Sequence, residues 1–223
     1  MRSDDTGARR DVNDRYFEPV AGAEDGYGAG FSSPAAPPGV MDGADELAWE
    51  TLATETDYTC PGFDIAVDDV RLPDGTEGEY HYVSAPPSVV VLPFTTDGDV
   101  VVIEEWRQAV GRVNYGLPAG GLENEDADPA AAAHRELTEE TGYEAVAVEP
   151  LVTYEPANGL FDSTFHYVVA RGCEPTAEQD LDDNESIRVD TTTFTDLQQR
   201  AVAGELRDGR SALAVLQYAP QAE

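Results

Sequence analysis

Three glutamates crowd into the segment "HRELTEETGY", which runs from His134 to Tyr143. In a helix, Glu136, Glu139 and Glu140 would share an arc of about 100° on one face. The negative end of the helix dipole disfavours a carboxylate in the last turn by about 0.3–1 kcal/mol. A divalent cation would relieve this repulsion, and hard carboxylate oxygens suit Mg²⁺ or Mn²⁺. The segment therefore indicates a metal site on a helix.

The alternative is a solvated acidic face, because acids account for 45 of the 223 residues. Glu136 and Glu140 also form a like-charge pair four residues apart, which weakens a helix slightly. Arg135 can offset part of that repulsion through Glu139, although in the less favourable orientation. The three carboxylates alone do not decide between the two interpretations.

The neighbouring residues predict the helix that would carry these glutamates. Asp128 is a good N-cap, and Pro129 suits the first helical position. The four alanines at 130–133 have the highest helix propensity. Gly142 can adopt the left-handed conformation that ends many helices. We therefore expect a helix between Asp128 and Gly142.

The remaining pattern predicts a mixed β-sheet with two further helices. Residues 63–72 and 79–83 predict a hairpin, and residues 88–94 and 100–106 predict two more strands about a turn. The other expected elements are strands within 145–155, 164–170 and 187–194, and helices within 195–206 and 211–219. These elements predict an α/β (α+β) layered domain.

The charge of the chain is unusual. Its 45 acidic residues face 13 basic ones, all arginine, for a net charge of −32. Concentrated salt would screen the resulting repulsion, since the Debye length falls to about 3 Å at 1 M. We interpret the composition as a solubility adaptation to a salty cytoplasm, as in a haloarchaeon-like acidic proteome. A basic protein partner is the alternative, but the acids are spread along the whole chain. Nucleic acid is disfavoured as a partner.

Other features of the sequence indicate the cellular compartment of the protein. Cys60 and Cys173 are too few for a disulfide framework, so we expect two free thiols. No apolar run approaches the ~20 residues of a membrane span, and the N-terminus does not resemble a signal peptide. We therefore expect a cytoplasmic protein without a membrane partner. Residues 1–45 are polar and rich in Gly, Ala, Pro and Asp, and we expect them to be a disordered, low-complexity tail.

The segment "GLPAGGLENEDADPAAAAHRELTEETGY" resembles the signature of the Nudix hydrolases. The second half of that signature is Arg-Glu-aliphatic-x-Glu-Glu-x-Gly-aliphatic, and residues 135–143 match it without gaps. The first half departs from it. With Gly121 as the leading glycine, the first glutamate of the signature falls on Ala127. With Gly120 in that place, one residue is inserted before Asp128.

The resemblance implies specific roles for the residues of the helix. Glu136 and Glu140 would be the main metal ligands, and Glu139 a further or water-mediated one. The carbonyl of Ala119 would contribute to the same Mg²⁺ or Mn²⁺ site. Arg135 would act in catalysis by orienting the cluster. The implied fold is a Nudix-type mixed sheet sandwiched between helices, with an N-terminal β-hairpin extension.

Over about residues 46–218, the chain looks most like the ADP-ribose pyrophosphatase branch. The hairpin subdomain at 46–86 would contribute to a homodimer, and residues 87–223 would form the Nudix domain. The segment "EEWRQAVG" is similar to the Gln-aromatic-Arg segment of that branch, which makes Arg107 a substrate-binding candidate. An exposed edge-strand arginine is the alternative. In the acidic loop "DDNES", Glu185 would assist the attack of water, with Asp183 as a substitute.

By resemblance, the chain is a divalent-metal-dependent pyrophosphatase. It would cleave ADP-ribose or a related nucleoside diphosphate sugar to a nucleoside monophosphate and a sugar phosphate. Nucleoside triphosphates or dinucleoside polyphosphates are alternative substrates, since the loop "EPANGLFD" departs from the Pro-Gly form common in the branch. A non-catalytic nucleotide sensor is the remote alternative. Sensing domains of the family usually lose one of the three glutamates, and all three are present in this chain. We interpret His134 and His166 as structural.

The salt interpretation predicts that the free energy of unfolding rises with ionic strength. Raising KCl from about 0.1 M to about 2 M should screen the acidic surface. The melting temperature should rise by about 5 °C or more, since each kcal/mol corresponds to about 2–4 °C in a domain of this size. Circular dichroism melts recorded at increasing concentrations of KCl measure this rise in melting temperature. A melting temperature that does not depend on KCl would contradict the interpretation.

Overall fold

The computed structural model describes residues 45–219, so the tail expected at 1–45 lies outside the described residues except for Asp45. The described part contains two sheets and three α-helices. The strands are β1 (Glu50–Cys60), β2 (Phe63–Arg71), β3 (Glu77–Ser84), β4 (Ser88–Thr95), β5 (Val100–Arg107), β6 (Arg112–Gly116), β7 (Ala119–Gly121), β8 (Tyr143–Glu144), β9 (Ala147–Tyr154), β10 (Phe165–Pro175) and β11 (Ile187–Thr192). The helices are α1 (Pro129–Thr141), α2 (Phe194–Ala203) and α3 (Gly209–Tyr218).

The N-terminal sheet contains the hairpin that the sequence predicts. β2 and β3 pair antiparallel, and their turn is closed by a hydrogen bond from the Leu72 amide to the Thr76 carbonyl (2.8 Å). Asp74 supports the turn by accepting from the Thr76 amide (2.9 Å). β1 pairs antiparallel with β2, so the hairpin becomes a three-stranded sheet with β1 at one edge.

The larger sheet is mixed and has helices on both faces, as the sequence predicts. Its main path runs β11–β5–β4–β10–β8, with β6 beside β5, β7 beside β4 and β9 beside β10. Alternation along β4 sends Val89 and Val91 into the cluster that holds α1. Val90 and Leu92 point into the opposite cluster, which holds α2 and α3. The buried apolar residues of these two clusters are the core of the domain.

β4 brings together the segments that form the site. Its first residues pair antiparallel with β7, which places Gly120 opposite Val89. On its other side β4 runs parallel to β10, with Val89 opposite His166. The chain then leaves β7 through the loop 122–128 and enters α1, which packs against β4 and β7. Two strands and one helix therefore converge at the start of β4.

The ends of α1 are those that the sequence predicts. The Asp128 side chain accepts a hydrogen bond from the Ala131 amide (2.9 Å), and Pro129 is the first helical residue. Gly142 has φ of 73°, in the left-handed region, and its amide donates to the Thr138 carbonyl (2.7 Å). These local caps fix the register in which the glutamates face the sheet.

The start of α3 holds the segment that precedes β7. Ser211 Oγ accepts from the Leu117 amide (2.8 Å) and donates to Asp208 (2.6 Å). A Cβ at Gly116 would lie 2.6 Å from Ser211 Oγ, so glycine is needed for this close approach. The predicted helix α3 therefore helps to fix the path into β7.

The N-terminal sheet contacts the larger domain through the loop between β9 and β10. The Val83 amide donates to the Leu160 carbonyl (2.8 Å), and the Asp162 amide donates to the Val83 carbonyl (3.1 Å). Tyr80 Oη donates to the Gly159 carbonyl (2.7 Å). Cys60 and Cys173 are free thiols, as expected. Within residues 45–219, none of the helices has the length and apolar character of a membrane span.

Candidate active site

The three glutamates of α1 differ in burial. Glu136 and Glu140 are 8% and 2% exposed, whereas the side chain of Glu139 is 40% exposed. The three glutamates lie on one face of α1, as the helical periodicity predicts. Two of the carboxylates face the sheet, and the third lies at the edge of the helix–sheet contact. A plain solvated face would leave all three in water, so this part of the alternative is excluded for Glu136 and Glu140.

The two buried carboxylates meet β7. Glu140 Oε2 accepts a hydrogen bond from the Ala119 amide (2.9 Å). A Cβ at Gly120 would lie 2.1 Å from Cδ and 2.2 Å from both carboxylate oxygens of Glu136. The Glu136 carboxylate therefore occupies the space that a side chain at position 120 would need. The structure places Ala119 beside the cluster, and the role of its carbonyl as a ligand stays a prediction.

Arg135 holds the acidic groups around it. Its Nη1 donates to Glu136 Oε1 (2.9 Å) and to Glu139 Oε2 (3.0 Å), which includes the pairing expected from the sequence. Nη2 donates to the Gly121 carbonyl (2.8 Å). Nε and Nη2 also bind the two oxygens of Asp126 (3.2 and 2.8 Å). This geometry uses the planar guanidinium fork to join α1 to the loop before it.

The charge of Arg135 is maintained despite its partial burial. Burial acts to lower the pKa of Arg135, but its bonds with Asp126 and the charge of Glu136 raise it above the usual value. Asp126, in the loop before α1, is thus a partner of Arg135. Arg135 contacts carboxylates and a carbonyl, as expected for an orienting residue.

Both buried glutamates resist ionisation in the absence of a cation. Burial raises the pKa of Glu140 to about 9, helped by the charge of Glu136 and opposed by the Ala119 hydrogen bond. Burial also raises the pKa of Glu136 to about 7, and Arg135 limits that rise. A positive charge placed between them would stabilise both ionised carboxylates.

Glu185 lies in the loop between β10 and β11 and is partly exposed. Its charge is one of the lesser contributions to the raised pKa of both Glu136 and Glu140. Its Oε2 accepts from the Asp182 amide (3.1 Å). Asp183, the substitute, is exposed in the same loop. The catalytic role of Glu185 stays a prediction.

Glu105 is a further acid near the site, which the sequence analysis missed. It is 7% exposed, and burial raises the pKa of its carboxyl against the lowering effect of Arg107. The alternation that buries Val101 and Ile103 along β5 could have indicated its burial.

Arg107 forms an ion pair with Glu105 (2.5 Å) and is one-third exposed. It lines a narrow polar cavity with Asn114, Asp208 and Arg210. Arg107 is therefore only partly in solvent. Substrate binding by Arg107 stays a prediction.

The donor set fits a hard divalent cation. Within residues 45–219, no three His, Cys, Asp or Glu side chains already converge around a point that a metal could occupy. Arg135 and the Ala119 amide hold the glutamate oxygens in the arrangement described above. Glu136 and Glu140 are nevertheless buried beside Gly120, and the pKa of each carboxyl is raised. Carboxylate oxygens are hard ligands, which suit Mg²⁺ or Mn²⁺.

The two histidines considered in the sequence analysis lie apart from this acidic cluster. His134 is exposed on α1. His166 is 5% exposed, its Nδ1 lies 3.1 Å from Thr153 Oγ1, and burial lowers its pKa. A neutral, buried imidazole is consistent with the structural role expected for it.

Comparisons with known proteins agree with the fold. A model of the NUDIX domain matches residues 85–211. The ADP-ribose pyrophosphatase of Bacillus subtilis (strain 168) is 30% identical over 170 residues, which cover 76% of this chain and 91% of that protein. The methanol dehydrogenase activator of Bacillus methanolicus is 30% identical over 167 residues, covering 74% and 90%. A crystal structure of an ADP compounds hydrolase matches with a TM-score of 0.66 at 20% identity, covering 80% of this chain and 96% of that one.

The close approach at Gly120 predicts that Gly120→Ala displaces the Glu136 carboxylate. Mg²⁺ stabilises a folded protein that binds it, by about 2.7 kcal/mol at 100 times the dissociation constant. The rise in melting temperature on adding Mg²⁺ should therefore shrink by at least half in Gly120→Ala. Gly121→Ala is the matched control, because a Cβ there meets nothing within 4 Å. Equal Mg²⁺ shifts in the two variants would contradict this reading.

The raised pKa of Glu140 predicts how the stability of the metal-free protein depends on pH. Its folded pKa of about 9 exceeds the ordinary value of 4.5, so the stabilisation from the protonated form is complete below about 4.5. It is lost as the pH rises through about 9. Relative to Glu140→Gln, the wild type should therefore lose free energy of unfolding over this range.

Urea unfolding in EDTA at several pH values measures this difference, with the exposed Glu205→Gln as control. A wild type that gains stability relative to Glu140→Gln as the pH rises would show that the carboxyl is not held in its protonated form.

Proposed function

This chain belongs to the Nudix hydrolase family, and we propose that it hydrolyses the diphosphate bond of ADP-ribose or a related nucleoside diphosphate sugar. The products would be a nucleoside monophosphate and a sugar phosphate. The observation that carries the proposal is the buried pair Glu136 and Glu140, held against β7 by Ala119 and the absence of a side chain at Gly120. Such a pair has no evident role in a protein that binds no cation.

The cation would be Mg²⁺ or Mn²⁺. When bound, such ions neutralise diphosphate charge and lower the pKa of a bound water. Glu136 and Glu140 would hold them, with Glu139 at the rim as a further or water-mediated ligand and the Ala119 carbonyl as an additional donor. Arg135 would keep the carboxylates oriented through the bonds described above.

Glu185 would orient the attacking water and accept its proton. Its charge acts on both buried glutamates, and an ionised carboxylate can accept a proton from a water within hydrogen-bonding distance. Attack on phosphorus proceeds in line with the leaving oxygen, and the protein contributes mainly position and charge. For ADP-ribose the products would be AMP and ribose 5-phosphate. Arg107 is paired with Glu105, so it would contact a phosphate only after exchanging that partner.

The substrate is the least constrained part of the proposal. The relative from Bacillus subtilis is a pyrophosphatase for ADP-ribose, whereas the equally similar relative from Bacillus methanolicus is an activator of methanol dehydrogenase. Nucleoside triphosphates and dinucleoside polyphosphates therefore stay as alternatives. A sensor without catalysis is the remote alternative, since Glu136, Glu139 and Glu140 are all retained.

Product analysis discriminates among these functions. In high salt with Mg²⁺, ADP-ribose should yield AMP and ribose 5-phosphate, and Glu140→Gln should lose at least about 10²-fold in kcat. The panel should include other nucleotide sugars, nucleoside triphosphates and dinucleoside polyphosphates, and Glu205→Gln is the control. Cleavage of triphosphates alone would exclude the proposed substrate and leave the site intact. No cleavage with either Mg²⁺ or Mn²⁺ would contradict the enzymatic function.

We also propose that the protein is a homodimer that pairs through the N-terminal sheet. β1 is almost entirely exposed and forms one edge of that sheet. Exposed edges and apolar patches usually mark surfaces that bind other chains. The exposed large apolar side chains on and beside this sheet are Leu47, Trp49, Leu52, Tyr58, Phe63 and Tyr80.

A charge on this surface should separate the two copies. Size-exclusion chromatography with light scattering should give the wild type a molar mass twice that of the 24.0 kDa chain. In Tyr58→Asp, the measured mass should fall towards that of the monomer. Val202→Asp is the matched control, because Val202 is also an exposed apolar residue but lies on α2. A monomeric wild type, or a dimer that Tyr58→Asp leaves unchanged, would contradict the proposed interface.

A further inference from the structure

The loop between β10 and β11 closes the C-terminal end of α1. The last carbonyls of a helix have no partner within the helix and must find donors elsewhere. Here the Asp180 amide donates to the Glu139 carbonyl (2.9 Å). Gln179 Nε2 donates to the Glu140 carbonyl (2.6 Å). The loop thus supplies donors to the same two residues whose carboxylates belong to the candidate site.

The loop and the end of α1 are closely packed. The Ala177 amide donates to the Gly142 carbonyl (3.1 Å). A Cβ at Gly142 would lie 2.7 Å from the Ala177 carbonyl oxygen, closer than side chains approach in real structures. The start of the loop therefore packs directly on the end of α1.

The other end of the same loop carries Glu185. The Glu185 amide donates to the Asp182 carbonyl (3.0 Å), and the Asp182 amide donates to Glu185 Oε2 (3.1 Å). Immediately afterwards, the Ser186 carbonyl accepts from the Trp106 amide (3.3 Å), and Ile187 begins the pairing of β11 with β5. The loop is held at β5 on one side and at α1 on the other.

We infer that Gln179 is a positioning residue, which fixes the Glu185 loop to α1 by capping the Glu140 carbonyl. The inference rests on the proposed function, in which Glu185 orients the attacking water. Two of the three contacts described between the loop and the end of α1 join backbone atoms. Gln179 supplies the third through its side chain, so it is the contact that a substitution can remove. Its partner is the residue whose carboxylate lies deepest in the site.

The chemistry needs this kind of anchor. Displacing a catalytic group by about 1 Å can cost about 10²-fold in rate. Without the Gln179 donor, the first half of the loop keeps only its backbone bonds to the helix end. Glu185 would then sample positions away from the buried pair. Loss of orientation should lower kcat, while the affinity for substrate, measured as KM, should change by less than about twofold.

Gln179→Glu removes the donor at constant size, and it adds a negative charge at the negative end of α1. Gln199→Glu makes the same chemical change at an exposed position on α2 and is the matched control. Gln179→Lys restores a donor that is favourable at a helix C-terminus. Gln179→Ala is a second variant that adds no charge, should Gln179→Glu fail to fold.

Hydrogen exchange of the full chain tests the anchor without reference to activity. The hydrogen-bonded amides of Asp182 and Glu185 should exchange at least about fivefold faster in Gln179→Glu and Gln179→Ala than in the wild type or in Gln199→Glu. Unchanged exchange in both Gln179 variants would overturn the inference, whatever the substrate proves to be.

A double-mutant cycle with Glu185→Gln tests whether Gln179 affects kcat through Glu185. Gln179→Glu should lower kcat about tenfold in the wild type but less than about twofold when Glu185→Gln is already present. Gln179→Lys should recover most of the loss. An equal factor in both backgrounds would show that Gln179 acts through the fold of α1 instead. If the wild type cleaves no nucleotide, the proposed function fails, and the exchange result alone still decides whether Gln179 anchors the loop.

Discussion

Negative charge buried at the C-terminal end of α1 constrains much of this structure. Burial, the helix dipole and mutual repulsion all oppose the ionisation of Glu136 and Glu140. Arg135 supplies one positive charge, which it divides among Glu136, Glu139 and Asp126. Burial, with the charge of Glu136 as the next cause, raises the pKa of Glu140 to about 9, and the single guanidinium does not balance the several carboxylates. The imbalance is the physical reason to expect a further cation at this point.

Several close contacts of the fold lie around Glu136 and Glu140. β4 places β7 beside α1, and the absence of a Cβ at Gly120 leaves space for the Glu136 carboxylate. Ser211 holds the chain that leads into β7, and the loop 176–186 closes the far end of α1. Each of these contacts limits the movement of a carboxylate by packing or by a hydrogen bond to backbone. A site that works by position and electrostatics requires this rigidity.

The sequence predicted the parts of this arrangement that depend on local signals. Asp128 and Gly142 end α1 where their capping preferences place them, and the alternating pattern of residues 63–83 gave the hairpin. The tilt that buries Glu136 and Glu140 but leaves Glu139 at the rim was not predictable, because it depends on where β7 lies. The bond of Asp126 to Arg135 was likewise not predictable, because it crosses an irregular loop. Such contacts join distant segments, and no periodicity encodes them.

The central claim is that Glu136 and Glu140 together hold a divalent cation. Crystals grown with Mn²⁺ test it most directly, through anomalous diffraction recorded at the manganese absorption edge. The account predicts an anomalous peak in contact with carboxylate oxygens of both residues, between α1 and β7, and the loss of that peak in Glu140→Gln. A site without a peak at saturating Mn²⁺, or a peak that Glu140→Gln leaves in place, would contradict it.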